Sequence, residues 1–311
     1  MKTDFNPETE IPDLQGKVFL ITGGTAGLGK ESLIQLAKHK PAHLYFTGRN
    51  QKSADAVISD ISAIDVSVGV TFLQCDFGSR ASIAKAAEKF HSDRLDVFIA
   101  CAGVMAVQAD VTADGYEVQF GTSHMGNFTL LKLLLPAKRA VLLPVLLRTA
   151  EKPASDVRFV ALTSLGYVMH PHGGILFDEV RSKQEGRNTW VRYAQSKLAN
   201  ILTAKEMARR YPSITSVVVH PGTVKTGLVD GLSWVNRMIV YATNPRGLMT
   251  VEQGACNMLW ASTTQKSNLK PGQFYLPVGK PGDLVRDGEN MDLAKQMWDW
   301  SEREIAGLGL S

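Results

Sequence analysis

The feature that most constrains the fold is a glycine-rich turn that follows an apolar run. Residues 17–22 are mostly apolar and long enough for one buried strand, and a helical pattern begins at Gly29. Glycines stand between them at positions 23, 27 and 29. Glycine permits a sharp turn there and lets the backbone approach a pyrophosphate, which binds the amides of a helix N-terminus. The segment therefore predicts a dinucleotide site; the alternative is a turn with a structural role only.

The alternation of strand and helix continues along the 311 residues. Strands are predicted at residues 17–22, 43–47, 69–74, 95–100, 157–163, 215–220 and 273–276. Helices are predicted at residues 29–40, 79–90, 115–135, 191–210, 251–261 and 290–305, the last as a terminal packing element. We therefore predict an α/β fold with a Rossmann-type, doubly wound sheet of seven parallel strands. It forms a single domain over residues 16–311, after a polar leader at residues 1–15.

One segment, residues 130–147, does not follow this alternation. It contains two similar apolar phrases that end in Pro136 and Pro144, and proline breaks helix interiors. We expect a broken or extended helix there. A membrane-surface role is the less favoured alternative, because the segment carries few basic residues.

Charge and cysteine content exclude several classes of protein. The net charge of +4 comes without long like-charge blocks, which argues against a nucleic-acid partner. The three cysteines are widely spaced and odd in number, so neither a disulfide framework nor a metal site is expected. No run reaches the length of a membrane span, and the first 15 residues lack a signal-peptide core. We predict a cytoplasmic protein without a metal.

The end of the second predicted strand bears on cofactor choice. Arg49 and Asn50 stand where an NAD-binding fold would carry an acid for the ribose 2′-hydroxyl. An arginine without that acid favours a 2′-phosphate, hence NADP(H). The alternative is that Arg49 is a solvated residue at the start of the next helix. Asp76, after the third strand, is a candidate for the adenine edge or for capping the following helix.

A tyrosine and a lysine stand four residues apart on the predicted helix at 191–210. This spacing puts Tyr193 and Lys197 on one face, one turn apart. Reduction of a carbonyl needs a proton donor, and a nearby ammonium is expected to lower the pKa of the tyrosine. The alternative is an ordinary helix face. The pair alone does not decide between the two, and the other motifs do.

Taken in order, these motifs resemble the short-chain dehydrogenase/reductase family over roughly residues 16–277. The glycine turn resembles its cofactor motif, Cys101-Ala102-Gly103 the end of its Asn-Asn-Ala-Gly, and Thr163-Ser164 its catalytic serine strand. Residues 220–226 are similar to the loop that lines the nicotinamide. The phrases at 115–121 and 196–200 resemble the retinol-dehydrogenase-like branch, which includes fungal reductases.

The resemblance implies the residues of the site. Tyr193 would donate the proton, Ser164 would hold the substrate oxygen, and Lys197 would hold the nicotinamide ribose. The implied cofactor contacts are Gly23, Thr25, Gly27, Leu28, Gly29, Arg49, Asn50, Asp76, Ala102, Gly103, Tyr193, Lys197, Pro221, Gly222, Val224 and Thr226.

Two positions depart from the family pattern. The Asn-Asn pair is Ala100-Cys101, and the catalytic asparagine is Ser123. Serine keeps a donor and acceptor on a shorter stem, so we expect Ser123 to support proton relay through a water, with His124 as a less favoured substitute. The alternative is that Ser123 satisfies a backbone group in the bend of its helix.

The expected function is that of an NADPH-dependent oxidoreductase that interconverts a ketone or aldehyde and an alcohol. Residues 227–250 are apolar and are expected to form a lid over a hydrophobic small-molecule substrate, with Trp234 and Met238 in contact with it. The alternative is a cofactor-binding regulator or scaffold without turnover. Hydrolysis by Ser164 with His170 or His172 is disfavoured, because no nucleophile elbow surrounds the serine. The resemblance leaves room for a homo-oligomer, whose surfaces composition does not identify.

Overall fold

Eight strands form one sheet in the computed structural model, which describes residues 5–132, 142–245 and 247–307. The strands are β1 (Val18–Ile21), β2 (His43–Gly48), β3 (Gly69–Gln74), β4 (Val97–Ala100), β5 (Arg158–Leu162), β6 (Thr215–Val219), β7 (Phe274–Leu276) and β8 (Lys280–Pro281). Their order is β3-β2-β1-β4-β5-β6-β7-β8. Strands β1 to β7 pair in parallel, and β8 pairs antiparallel to β7.

This topology confirms the predicted α/β, Rossmann-type fold and corrects the strand number from seven to eight. The additional strand, β8, has two exposed residues, one of them proline. So short a strand leaves no apolar run in the sequence, which is why the pattern did not predict it.

Helices cover both faces of the sheet. Among the described residues they are α1 (Pro7–Glu10), α2 (Gly27–Ala37), α3 (Gln51–Ile64), α4 (Arg80–Glu88), α5 (Val118–Phe120), α6 (Gly126–Lys132), α7 (Leu142–Ala150), α8 (Thr189–Arg210), α9 (Gly227–Asp230), α10 (Trp234–Ala242), α11 (Val251–Thr263), α12 (Arg286–Glu289) and α13 (Met291–Gly307). A π-helical turn spans Gly121–Met125, and 3₁₀ turns span Leu165–Met169 and Lys266–Asn268.

Two hydrophobic clusters lie on opposite faces of the sheet, because side chains alternate along a strand. Leu20 and Phe98 belong to one cluster, and their neighbours Phe19 and Ile99 belong to the other. All four are at most 1% exposed. The first cluster also contains Trp298 of α13, fully buried, as expected of a terminal packing helix.

The predicted helix at 115–135 is broken in an unexpected way. The chain turns at Gly115, whose φ is 81°, and then passes from α5 through the π-helical turn into α6. Of the segment 130–147, residues 133–141 lie outside the described part of the chain. Pro144 is the third residue of α7 as the structure describes it.

Candidate active site

The strand order reverses between β1 and β4, and this reversal creates a crevice at the carboxyl ends of the strands. The glycine turn that leads into α2 lies at this point. Gly23 has a φ of 73° and packs against the loop after β4: a Cβ there would lie 3.1 Å from the Ala102 Cα. A Cβ on Gly29 would lie 2.4 Å from the Gly23 carbonyl oxygen. Both positions therefore exclude a side chain, the first by conformation and the second by close packing.

The loop after β6 forms the facing wall of the crevice. Thr226 is the residue that precedes α9, and its methyl carbon lies 3.8 Å from the point where Gly27 would carry a Cβ. Val224 and Leu28 converge on Gly254 of α11, where a Cβ would meet them at 2.4 and 2.8 Å. The structure therefore brings the glycine turn and the 220–226 loop together, as their resemblance to cofactor-binding segments implied.

A cleft of about 570 Å³ opens at the ends of β2 and β3. It is lined by Arg49, Gln74, Cys75, Asp76, Ser82, Lys85, Glu88 and Lys89. The Arg49 guanidinium forms no ion pair with any described residue. Lys85 and Lys89 were not predicted as cleft residues. Lys85 lies on α4 and Lys89 directly follows it, and only the fold brings them to this cleft.

Asn50, which follows Arg49, and Asp76, which lines the cleft, both accept hydrogen bonds from nearby backbone amides. Asn50 caps α3 by accepting a hydrogen bond from the Ser53 amide at 2.9 Å. The Asp76 carboxylate accepts from the Gly78 amide at 2.9 Å, while Ser79 caps α4. The suggestion that Asp76 caps this helix was therefore wrong, and its carboxylate borders the cleft.

Two side-chain hydrogen bonds hold helix α8 against the end of β5. The Thr163 hydroxyl donates to the Lys197 carbonyl at 2.9 Å, and the Asn200 amide donates to the Leu162 carbonyl at 3.1 Å. These contacts bring Ser164, Tyr193 and Lys197 together. The Tyr193 hydroxyl hydrogen-bonds the Ser164 side chain, and the Lys197 Nζ lies 5.6 Å from the centre of the tyrosine ring.

The electrostatics of the pair differ from the sequence-based expectation. Tyr193 is 8% exposed, and burial raises its pKa to about 12, with the Ser164 hydrogen bond acting in the opposite direction. Lys197 is 5% exposed, and burial lowers its pKa to about 8. The expectation that Lys197 lowers the tyrosine pKa assumed a partly hydrated ammonium about 4 Å from the phenol oxygen. Here both groups are desolvated, and the ammonium lies over the ring.

Ser123 is the middle residue of the π-helical turn and is fully buried. Its Oγ accepts a hydrogen bond from the Val104 amide at 3.2 Å. A Cβ on Gly103 would lie 2.8 Å from this Oγ and 3.5 Å from the Lys197 Nζ. The serine therefore satisfies a backbone group, but one in the loop after β4 rather than in the bend of its own helix, and it also borders the lysine. Its part in proton relay stays a prediction.

The predicted lid begins with α9 and α10 and already packs on the body of the protein. Its buried residues Val229, Leu232 and Val240 face Met105, Ala106, Trp190 and Leu248. Trp190 donates from Nε1 to Asn236 at 3.1 Å, and its ring packs edge-on to Tyr193 at 6.2 Å.

Trp234 and Met238 are 70% and 55% exposed. Their exposure on the outer face of α10 argues against the expectation that they contact substrate, which stays untested.

The loop histidines do not form a hydrolytic arrangement with Ser164. His170 contacts the Pro171 carbonyl at 2.9 Å and lies 3.7 Å from Asp287, and His172 is exposed. Within the described ranges, no group of three or more His, Cys, Asp or Glu could hold a metal ion, and no helix is long and apolar enough to cross a membrane.

A dinucleotide fits the residues of this crevice. No described side chain hydrogen-bonds the first amides of α2 at its N-cap residue Ala26. Amides at a helix N-terminus that no side chain caps favour binding of an anion. Gly27, with a φ of 53°, keeps the space between that turn and Thr226 open. The helix end and the missing side chain together provide a cradle for a pyrophosphate.

Comparison with known proteins agrees with this geometry. A family model for short chain dehydrogenases matches residues 17–140. A short-chain dehydrogenase/reductase of Armillaria gallica is 32% identical, over 95% of this chain and 92% of the relative. Human retinol dehydrogenase 11 is 30% identical, over 94% of this chain and 87% of the relative. Human polyprenol dehydrogenase is 29% identical, over 94% and 86% respectively.

A solved structure of an uncharacterized protein from Mycobacterium paratuberculosis shares the fold. Its TM-score is 0.70 at 23% identity, with 96% of this chain and 97% of that chain covered. The fold and the family imply a nicotinamide cofactor. Because the relatives match nearly the whole chain, this protein is an oxidoreductase that belongs to the short-chain dehydrogenase/reductase family.

Proposed function

We propose that this protein is an NADPH-dependent reductase that interconverts a ketone or aldehyde and the corresponding alcohol on a hydrophobic small molecule. The observation that carries the proposal is the juxtaposition of Ser164, Tyr193 and Lys197 beside the glycine turn. A phenol, a hydroxyl and an ammonium at the mouth of a dinucleotide crevice suit proton transfer at a carbonyl oxygen.

In the reducing direction, Tyr193 is the proton donor. Its pKa of about 12 keeps the phenol protonated at neutral pH and ready to donate to an oxygen that becomes alkoxide-like. The Ser164 hydroxyl donates a hydrogen bond to the same oxygen and orients it. When bound, the reduced nicotinamide supplies the hydride that adds to the carbonyl carbon.

Lys197 holds the cofactor ribose and offers a positive charge next to the phenol. Since its pKa is about 8, it is mostly protonated at pH 7. A charge over the ring favours the phenolate that remains after proton transfer. Most of the proposed cofactor contacts lie in the glycine turn, the 101–103 loop and the 220–226 loop. Arg49, Asn50 and Asp76 follow β2 and β3.

The preference for NADPH is proposed from the charge of the cleft at β2 and β3. Arg49, Lys85 and Lys89 contribute three positive charges to its lining, against Asp76 and Glu88. Arginine pairs with a phosphate through two parallel hydrogen bonds. The basic excess supports recognition of a 2′-phosphate rather than a bare ribose.

A hydrophobic substrate is proposed from the lid. The residues that α9 and α10 turn inward are apolar, and they pack beside Trp190 and Tyr193. The names of two relatives, retinol dehydrogenase 11 and polyprenol dehydrogenase, describe apolar alcohols as their substrates. We extend this class, but neither compound, to the present chain.

The experiment that tests the proposal also separates it from a scaffold without turnover. Purified protein is incubated with NADPH and a panel of apolar ketones and aldehydes, and NADPH consumption is followed. Tyr193→Phe should reduce turnover at least about 100-fold while it binds NADPH nearly as the unmodified protein does. A scaffold would bind NADPH and consume none with any substrate. Retention of more than about a tenth of the rate by Tyr193→Phe would exclude Tyr193 as the general acid.

A further inference from the structure

A buried asparagine on α6 joins three segments that meet at the candidate active site. Asn127 is 6% exposed and lies one helical turn beyond Ser123. Its Oδ1 accepts a hydrogen bond from the Thr22 hydroxyl at 2.7 Å. Its Nδ2 donates to the carbonyls of Ala102 and Ser123, each at 3.0 Å. Both amide hydrogens are therefore used.

Thr22 completes this network from the end of β1. Its hydroxyl accepts hydrogen bonds from the amides of Cys101 and Ala102, each at 2.9 Å. It donates to Asn127, while the Ile99 carbonyl lies farther away at 3.5 Å. Two accepted bonds and one donated bond fill the capacity of a hydroxyl. The ends of β1 and β4 are thus tied to each other and, through Asn127, to α6.

The segments tied in this way border Lys197. The loop that contains Ala102 continues to Gly103, where a Cβ would lie 3.5 Å from the Lys197 Nζ. Ser123, whose carbonyl Asn127 holds, borders the same point: its Oγ would lie 2.8 Å from that Cβ. The π-helical turn around Ser123 interrupts the regular helical hydrogen bonding, so a side-chain donor to its carbonyl supports an otherwise irregular turn.

We propose that Asn127 is a positioning residue, which sets the distance of the 101–103 loop and of Ser123 from Lys197. Ala100, Cys101 and Ser123 offer no side-chain amide at this place, and Asn127 provides one. A fully satisfied buried network is rigid, because breaking any of its bonds leaves a polar group without a partner. This inference rests on the proposed function, since the position matters only if the lysine and the loop hold a reacting complex.

The main variant is Asn127→Leu, which keeps the volume and removes all three hydrogen bonds. We expect kcat to fall about tenfold or more while KM for the carbonyl substrate changes by less than about threefold, because misplacement affects the reacting complex rather than substrate binding. NADPH affinity, measured by the fluorescence of the bound cofactor without substrate, should fall several-fold, because the 101–103 loop is a proposed cofactor contact.

The matched control is Thr149→Val, which removes a buried hydroxyl at the opposite end of β4. Thr149 is fully buried, accepts from the Leu95 amide at 3.0 Å and donates to the Val145 carbonyl at 2.8 Å. It should lower the melting temperature and leave kcat and NADPH affinity unchanged. If both variants lower kcat equally at a temperature where both are folded, or if neither does, Asn127 has only a structural role and the proposal is overturned.

A second pair keeps the test usable if Asn127→Leu does not fold. Thr22→Ser retains the hydroxyl and should keep at least about half of kcat, whereas Thr22→Val should lose kcat as Asn127→Leu would. Equal activity of these two variants would also overturn the proposal. Tyr193→Phe is assayed alongside. If Tyr193→Phe is inactive while Asn127→Leu is fully active, only this inference fails. If Tyr193→Phe is fully active, the proposed function itself fails.

Discussion

At the scale of single residues, Lys197 carries a charge that the fold makes unfavourable. Burial lowers its pKa to about 8, so near that pH about half of the molecules lack the proton. A bound NADPH brings negative phosphates and ribose hydroxyls, which favour the ammonium form. Cofactor binding should therefore raise the pKa of Lys197, and binding and protonation should be linked.

The first prediction is uptake of protons when NADPH binds at about pH 8 to 8.5. At this pH the free protein is partly deprotonated at Lys197, whereas the complex is protonated there. The affinity for NADPH should therefore also fall as the pH rises through 8. Calorimetric titration in buffers of different ionisation enthalpy measures the proton number. Lys197→Met should abolish the uptake, and an unchanged proton number in that variant would mean that another group is responsible.

The second prediction concerns Arg49 and the choice of cofactor. Arg49→Asp should lower the ratio of kcat/KM for NADPH to that for NADH by about 100-fold or more, because it removes a charge-assisted contact and adds a repulsion. Lys85→Ala, which removes a charge on the other side of the cleft, should lower it only several-fold. Lys52→Asp, an exposed position on α3 outside the cleft lining, is the control for net charge. Equal use of NADPH and NADH by the unmodified protein would contradict the assignment.

How far the residues of the site could be predicted depended on how local their signals are. The glycine turn, Ser164 and the tyrosine and lysine of α8 lie in short motifs, and the structure brings them together. Their charges did not follow from spacing, because a pKa depends on burial that only the complete fold creates. Asn127 and Lys85 were not predicted as site residues for a similar reason, because each of them meets the site through elements that are distant in sequence.

At the scale of elements, α10 shows what an apolar sequence leaves open. The helix carries apolar residues on both sides, and only the structure separates its buried residue Val240, which clusters with Leu232 of the preceding turn, from the exposed residues Trp234 and Met238. The π-helical turn and β8 are equally hard to predict. A single irregular turn and a strand of two residues leave no periodic pattern to read.

The third prediction uses the two faces of the lid. Leu232→Ala should raise KM for an apolar carbonyl about tenfold, because it weakens the packing of the lid beside Trp190 and Tyr193. Trp234→Ala removes a larger side chain from the outer face and should leave KM within about twofold. Steady-state kinetics with the same substrate compare the two. A larger effect at Trp234 than at Leu232 would place substrate recognition on the outer face.

At the scale of the whole molecule, two buried histidines make the stability of the fold depend on pH. Burial lowers the pKa of His124 to about 3 and that of His220 to about 4. In the unfolded chain both would titrate near 6.5, so between about pH 6.5 and 4 the unfolded state binds protons that the folded state does not. The free energy of unfolding should therefore fall as the pH falls through that window, by about 2 kcal/mol per histidine at pH 5.

The fourth prediction isolates His124, which hydrogen-bonds Ser301 at 3.0 Å and also the Asn200 side chain. Glutamine keeps polar atoms at this place but does not take up a proton. Urea unfolding of His124→Gln should therefore show a loss of stability between pH 7 and pH 5 that is smaller than that of the unmodified protein by about 2 kcal/mol. The absolute stability of the variant does not affect the comparison, because only the change of stability with pH is compared.

The control is His172→Gln, at an exposed loop position, which should lose as much stability between pH 7 and pH 5 as the unmodified protein does. If His124→Gln shows the same loss as the unmodified protein, the acid sensitivity arises from other groups, such as His220 or the carboxylates, and His124 binds its proton as readily in the folded state as in the unfolded one.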